Sequence, residues 1–184
     1  MNARRLKVIL PAGALAAAAC AALFAQTAPT PKESPSAANW FAAAESLVTE
    51  LYRSVSFEAG QSPDWQKVRA MFIPEAVVVL RTARDKMSVF SVQGFVDDFI
   101  SFIERTEAQR KGFSERIVHM KPLVYGNIAH VLVLYEAQLG GSERPPQRGV
   151  DSFELVRMAD RWLIASITNE ICTPERPPPP ELQD

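Results

Sequence analysis

The feature that most constrains the fold is the second half of the chain, where four strand-like segments follow one another without a helical pattern. After Phe113 these segments cover residues 116–125, 128–139, 149–157 and 162–171. They are separated by Gly126-Asn127, by a loop containing Gly140 and Gly141, and by Ala159-Asp160. Because short turns join antiparallel neighbours, the pattern predicts a four-stranded antiparallel meander.

The first half of the chain carries helical patterns instead. Apolar residues recur at intervals of three and four in three places, at 39–55, at 65–72 and from about 93 to 103. Asn39 is the expected cap of the first helix, and the second is expected to begin with a Ser62 cap followed by Pro63 and to end at Pro74. A short hairpin is expected at 77–80 and 87–92. Helices followed by strands predict an α+β fold with the helices packed on one face of a sheet.

The strand at 128–139 is apolar on both faces. Ile128, Leu132 and Leu134 alternate with Ala129, Val131 and Val133. A sheet covered by helices on one side only is expected to have a polar second face. A second copy of the chain is the simplest cover for an apolar outer face, so we expect a homodimer through the outer side of the sheet.

The amino terminus has the pattern of a processing signal. Arg4, Arg5 and Lys7 precede a charge-free, Ala-rich run over residues 8–25. We expect a signal peptide at 1–25, and therefore an exported, periplasmic or secreted protein. Two alternatives stay open, an uncleaved membrane anchor through residues 8–25 and lipidation at Cys20.

Two further segments are rich in proline. Residues 26–38 contain Pro, Ser and Thr, and residues 172–184 contain a run of four prolines. Such sequences favour extended, unpacked chain. The folded domain is therefore expected at 39–171, between a disordered linker and a disordered tail.

The charge balance argues against a polyanionic partner. The chain has 20 Lys plus Arg residues and 21 Asp plus Glu residues, so no positive field is available to hold a nucleic acid. It contains no Gly-rich phosphate loop and no Gly-x-Ser-x-Gly nucleophile motif. With two histidines, His119 and His130, and with Cys172 the single cysteine left after the expected removal of residues 1–25, we expect neither a metal site nor a cofactor.

The order of elements and three segments resemble a known family. The segments are Trp65 to Leu80, Gly126-Asn127-Ile128-Ala129, and Asp151-Ser152-Phe153-Glu154-Leu155-Val156 followed by Arg161-Trp162-Leu163-Ile164. Together they look like the nuclear transport factor 2-like superfamily, and within it the SnoaL-like group. This resemblance implies a cystatin-like, cone-shaped half-barrel, often dimeric, in which three helices and a strongly curved antiparallel sheet enclose a pocket. Members include ketosteroid isomerase, scytalone dehydratase, polyketide cyclases and domains without catalysis.

The isomerase pattern can be carried over at two of three positions. Tyr52 matches its helix-one tyrosine and Asp151 matches its later aspartate, whereas its aspartate base falls at Leu80 or, with a slip of one residue, at Arg81. Neither of those side chains can take a proton from carbon. The resemblance then implies two hydrogen-bond donors for a ligand carbonyl, the phenol of Tyr52 and the carboxyl of Asp151 if an apolar site keeps it protonated.

Each candidate residue also has an ordinary structural interpretation. Tyr52, Trp65 and Tyr135 could simply be core aromatic residues, and Asp151 could cap a turn. The expected ligand-binding set is Tyr52, Trp65, Leu80, Tyr135 and Asp151. Catalytic candidates are Asp151, Tyr52 and His119, which lies on a strand and could face either way; His130 is expected on the outer face.

Three functional hypotheses follow. The first is an exported domain that binds a small hydrophobic molecule in a cone-shaped pocket, without assigned catalysis. The second is a cofactor-independent isomerase, dehydratase or cyclase, in which Asp151 or His119 carries the proton and Tyr52 polarises an oxygen. The third is a dimerisation module whose cone is filled by its own side chains. A void of less than about 300 Å³ would favour the third.

Overall fold

The computed structural model describes residues 37–83 and 85–183. The expected signal peptide, the alternatives at residues 8–25 and Cys20, and nearly all of the expected linker lie outside these residues. Within the described part of the chain, no helix is both long enough and apolar enough to cross a membrane.

Within the described residues, two helices precede two strands, and two further helices precede the last four strands. In order, they are α1 (Ala37–Val55), α2 (Trp65–Arg69), β1 (Phe72–Ala83), β2 (Lys86–Ser91), α3 (Val92–Thr106), α4 (Ala108–Lys111), β3 (Phe113–Tyr125), β4 (Ile128–Leu139), β5 (Gln147–Met158) and β6 (Arg161–Ile171), followed by a C-terminal 3-10 turn (Pro180–Leu182). The predicted helices, hairpin and meander are all present.

Local capping sets where the short helices begin. The side chain of Asp64 accepts a hydrogen bond of 3.0 Å from the backbone N–H of Lys67, so Asp64 caps α2. The expectation that Ser62 is the cap was therefore wrong, and Pro63 precedes the helix. Pro74 does not end α2 either, because α2 stops at Arg69 and Pro74 lies within β1.

The strands form one curved, unclosed sheet in the order β2-β1-β6-β5-β4-β3. The predicted α+β class with a curved sheet is confirmed. One pair departs from the expectation of an antiparallel sheet, since β1 and β6 run parallel. Register shifts interrupt the pairing of β3 with β4 and of β5 with β6, and such bulges bend strands and increase their twist.

The main core lies between the helices and the inner face of the sheet. Helix α1 contacts β3 and β6, and α3 contacts β1 and β2. Val48 of α1, Val96 of α3 and Val131 of β4 are fully buried in the same cluster. The sheet thus packs its inner face on two amphipathic helices, as the sequence predicted.

The outer face of the sheet is covered in part by the end of the chain itself. The C-terminal 3-10 turn contacts β3 and β4, and Leu182 is 1% exposed, like Leu134 on the outer side of β4. The expectation of an unpacked tail from residue 172 was therefore wrong. Proline restricts the unfolded chain, which lowers the entropic cost of laying such a segment on the sheet.

Candidate functional site

An open cavity of about 1390 Å³ lies between the two long helices and the inner face of the sheet. Its walls are mainly apolar and include Val78 of β1, Phe95 and Phe99 of α3, and Phe153 of β5. The volume exceeds the range typical of ligand pockets. The cone thus contains a large void, whereas the third hypothesis expected it to be filled by its own side chains.

Four polar side chains of the cavity wall form one hydrogen-bond network. The Tyr52 hydroxyl donates to Asp151 Oδ2 over 2.5 Å. Asn169 Nδ2 donates to Asp151 Oδ1 over 2.7 Å and to the hydroxyl oxygen of Tyr135 over 2.9 Å. Tyr52, Tyr135 and Asn169 are all buried. The structure therefore brings together Tyr52, Asp151 and Tyr135, which the sequence had singled out.

Asp151 acts as the acceptor at the centre of this network. Burial raises the pKa of Asp151 to about 6, while the hydrogen bonds from Tyr52 and Asn169 oppose that rise. At neutral pH the carboxyl is thus mainly ionised, and each of its oxygens accepts a hydrogen bond. The resemblance made donation by Asp151 conditional on a protonated carboxyl; the hydrogen bonds from Tyr52 and Asn169 limit the rise of its pKa, and both of its oxygens act as acceptors.

The hydroxyl group of Tyr52 takes part in this network through its bond to Asp151. Burial and the Asp151 carboxylate raise the pKa of Tyr52 well above its ordinary value, so the phenol keeps its hydrogen. That single hydrogen is donated to Asp151. Tyr52 therefore positions Asp151, and its hydrogen does not point to a ligand.

Tyr135 differs from Tyr52 in that its hydroxyl hydrogen is available to a ligand. Its oxygen accepts from Asn169, while no described residue accepts the hydrogen of its hydroxyl. Burial raises the pKa of Tyr135 above its ordinary value, so that hydrogen is retained. A phenol that accepts one hydrogen bond within the protein can still donate one to a ligand.

The position of Tyr135 depends on the absence of a side chain at residue 149. Gly149 of β5 pairs with Tyr135 of β4. A Cβ built on Gly149 would lie 2.4 Å from the Tyr135 hydroxyl oxygen and 2.5 Å from its Cζ. Glycine is therefore required for the phenol to cross β5 and reach Asn169.

Sequence reasoning missed Glu115, which also lines the cavity. Burial and, secondly, the charge of Asp151 raise the pKa of Glu115 to about 8. Its signal was available in the sequence: in β3 it alternates in phase with Phe113 and Ile117, two apolar residues. A glutamate on the apolar side of a strand is unusual, since charged side chains are seldom buried.

Two predicted site residues lie elsewhere. Trp65 does not border the cavity and instead packs on Phe99, with ring centroids 5.4 Å apart. His119 pairs with Leu134 on the outer side of the sheet, because the register shifts after Ile117. It borders a small cleft with Leu182, so it cannot act on a ligand inside the cone.

The remaining candidates lie where the sequence placed them. Leu80 lines the cavity, and Arg81 binds Glu170, with 2.8 Å between Nε and Oε1. His130 is on the outer face and contacts Glu154 over 2.7 Å. Among residues 37–83 and 85–183, no group of three or more His, Cys, Asp or Glu side chains is arranged to hold a metal ion.

Comparison of the sequence with protein-family models and with curated proteins finds no match. Solved structures do match. A protein from Streptomyces avermitilis, named as a candidate dehydratase of the NTF2-like family, has a TM-score of 0.59 at 14% identity, covering 75% of this chain and 99% of that chain.

Two further structures show the same architecture. A candidate aromatic ring hydroxylase from Novosphingobium aromaticivorans has a TM-score of 0.56 at 16% identity and covers 76% of this chain and 94% of its own. An uncharacterised protein with a cystatin-like fold from Caulobacter vibrioides has a TM-score of 0.53 at 12% identity, with 73% and 90% covered. At these identities the likeness concerns the fold alone. The resemblance read from the sequence is confirmed at that level: this chain has the nuclear transport factor 2-like, cystatin-like fold.

Proposed function

We propose that this chain binds a small hydrophobic molecule carrying an acceptor oxygen. The observation that supports this is a large cavity whose inner wall is mainly apolar and holds the hydrogen-bonded network of Tyr52, Asp151, Asn169 and Tyr135. Ligand pockets typically combine apolar walls with a small number of polar groups that fix orientation. The cavity is open, so a ligand can enter without unfolding of the core.

Binding is tested by isothermal titration calorimetry with 1-tetralone, a bicyclic ketone, and with tetralin, the corresponding hydrocarbon. We expect both to bind and the ketone to bind more tightly, by about tenfold for one hydrogen bond. Ala137→Trp places a large ring on the cavity wall and should abolish binding. Leu132→Trp, on the opposite face of the same strand, is the matched control. Equal affinities of wild type and Ala137→Trp would contradict the proposal.

Catalysis is the second candidate function, and the two carboxyls favour it. With pKa values of about 8 and about 6, Glu115 is mainly neutral and Asp151 mainly ionised at neutral pH. Two carboxyls held in different protonation states can serve as acid and base. The names of two similar structures, a candidate dehydratase and a candidate hydroxylase, are compatible with chemistry in this fold.

This candidate is tested with a hydrophobic β-hydroxy ketone. Loss of water would give a conjugated enone, which is followed by its ultraviolet absorbance. We expect turnover in wild type and at least a hundredfold loss in Glu115→Gln. An absorbance change that is the same in both proteins would exclude Glu115 as the acid.

We also propose a homodimer through the outer face. Leu123, Tyr125, Ile128 and Met158 form an exposed apolar row near the strand ends, and Tyr125 is 82% exposed. Beside them, His130 and Glu154 contact each other over 2.7 Å and give this row a polar border, as is usual for an interface. Tyr125→Glu should shift the sedimentation coefficient to that of a monomer, whereas Gln109→Glu on α4 should not. A wild type that sediments as a monomer at about 10 µM would contradict this.

Export is the last part of the proposal, and it is supported by the sequence of residues 1–25. Intact mass spectrometry of the protein recovered from its native cells should show a chain beginning at Gln26. A mass that includes the first 25 residues, or a lipid on Cys20, would favour one of the two alternatives.

A further inference from the structure

The carboxyl of Glu115 is placed to contact whatever occupies the cavity. In the ladder of β3 and β4, Glu115 lies opposite Ala137 and Ile117 lies opposite Tyr135, so Glu115 and Tyr135 are diagonal neighbours on the inner face. Both residues line the cavity. No described residue donates a hydrogen bond to the Glu115 carboxyl, although the backbone N–H and carbonyl of Glu115 both bond to Ser56.

The other groups that face Glu115 form no hydrogen bond with its carboxyl. They are Tyr52 from α1, Tyr135 from β4 and Asp151 from β5: the charge of Asp151 raises the pKa of Glu115, and the charge of Glu115 raises the pKa values of the two phenols. Tyr52 donates to Asp151, and both Asp151 oxygens accept hydrogen bonds. The adjacent Arg116 pairs with Glu136. Beside Tyr135 on the inner face of the sheet, Glu115 therefore presents a carboxyl whose hydrogen-bonding capacity is unused.

Two unused donors then remain on neighbouring strands. One is the hydroxyl hydrogen of Tyr135, and the other is the acidic hydrogen of Glu115 in its neutral form. We propose that Glu115 and Tyr135 together donate hydrogen bonds to a single acceptor oxygen of the ligand, so that the cavity selects neutral carbonyl compounds such as hydrophobic ketones, enones and lactones. This inference rests on the proposed binding function and adds the substrate class and the residues that recognise it.

The donor set also explains which ligands the site rejects. A hydrocarbon leaves both donors without a partner inside the cavity, which is costly in a site of low dielectric. An ionised ligand carboxylate placed against Glu115 and Tyr135 would be repelled by the nearby Asp151. A ketone oxygen has two lone pairs and can accept from both donors at once.

Proton linkage gives this proposal a measurable consequence. The donating form of Glu115 exists below its pKa of about 8 and is lost above it. Ketone affinity should therefore be constant from about pH 6 to 7.5 and fall at alkaline pH, by up to about tenfold per pH unit. Glutamine keeps a donor at this position at every pH, whereas leucine has none.

The experiment is calorimetry with 1-tetralone at pH 6.5 and pH 9.5, on wild type, Glu115→Gln and Glu115→Leu. Glu175→Gln, at the exposed mouth of the same cavity, is the matched control. Circular dichroism at each pH verifies that every variant is folded.

In wild type and in the control, we expect the affinity for 1-tetralone to be at least about tenfold lower at pH 9.5 than at pH 6.5. Glu115→Gln should bind tightly at both pH values, and Glu115→Leu weakly at both. An affinity of wild type that does not change with pH, or a Glu115→Leu variant that binds and titrates like wild type, would overturn the role of Glu115 while leaving the binding function intact. Absence of binding to folded wild type at both pH values would overturn the binding function, and this inference with it.

Discussion

Replacement of Glu115 by glutamine is expected to stabilise the folded chain at pH 8 and to leave its stability almost unchanged at pH 4. Burial and the nearby Asp151 carboxylate raise the pKa of Glu115 from 4.5 to about 8 in the folded state. Below pH 4.5 the carboxyl is neutral in both folded and unfolded chains. Between pH 4.5 and 8 the unfolded chain releases this proton and the folded chain retains it, so stability falls as pH rises.

The size of the effect follows from the same values. Each pH unit in this interval lowers the free energy of unfolding by about 1.4 kcal/mol, and the whole interval corresponds to an upper limit of about 5 kcal/mol. Glu115 borders a cavity that water can enter, and this hydration of the charged form reduces the loss, so we expect about half of that limit. The pKa of Asp151 is about 6, so the loss between pH 6 and 8 belongs mainly to Glu115.

The assay is urea denaturation of wild type and Glu115→Gln at pH 4.5, 6, 7 and 8, followed by far-ultraviolet circular dichroism. The quantity that matters is the difference in unfolding free energy between the two proteins, since other titrating groups contribute equally to both. The exposed Glu104→Gln of α3 serves as the control and should follow wild type. A difference that stays constant from pH 4.5 to 8 would refute the argument, because Glu115 would then not be protonated in the fold.

Three further changes test other parts of the structure. Gly149→Ala should displace the Tyr135 phenol and destabilise the fold by about 1–3 kcal/mol. The same change should cost much less in a Tyr135→Ala background. Equal costs in the two backgrounds, measured by chemical denaturation as a double-mutant cycle, would argue against the close approach of residue 149 to the phenol. Leu182→Ala should lower the free energy of unfolding by about 2 kcal/mol in the same assay, because Leu182 is buried on the sheet. Replacement of the exposed Glu181 by alanine should leave that free energy nearly unchanged. An equal stability of Leu182→Ala and wild type would mean that the C-terminal turn is not packed on the sheet in solution. Asp151→Asn should weaken 1-tetralone binding by about tenfold through the displacement of Tyr135 and Asn169, with circular dichroism unchanged; an unaltered affinity would remove the network from the site.

The fold was predictable because its signals are local. The helical spacing of α1 and α3 and the turn residues between β3, β4, β5 and β6 are each written in a few adjacent positions. The proximity of Tyr52 to Asp151 came from the family resemblance, since 99 positions separate the two residues. No local pattern could have indicated that contact.

The errors concern properties that depend on tertiary structure. The side that His119 faces was left open, because it depends on a bulge after Ile117, and a shift of one residue reverses every later side chain of a strand. Trp65 is the first residue of α2, and its ring packs on Phe99 of α3, a contact between elements that the spacing within one helix does not show. The tail was read as unpacked from its prolines, although Leu182 is buried on the sheet and Arg176 pairs with Glu170 of β6.

The protonation state of Asp151 depends on contacts that the sequence does not show. Its position in a pocket suggested a neutral carboxyl, but two donors, Tyr52 and Asn169, stabilise its charge, so its pKa rises only to about 6. Glu115 has no such donors, and its pKa rises to about 8 at a similar depth. Hydrogen bonding, more than burial, therefore makes the pKa of Asp151 lower than that of Glu115. The carboxylate that holds Asn169, and through it Tyr135, is the one that stays ionised, while the carboxyl left free to meet a ligand is the one that keeps its proton.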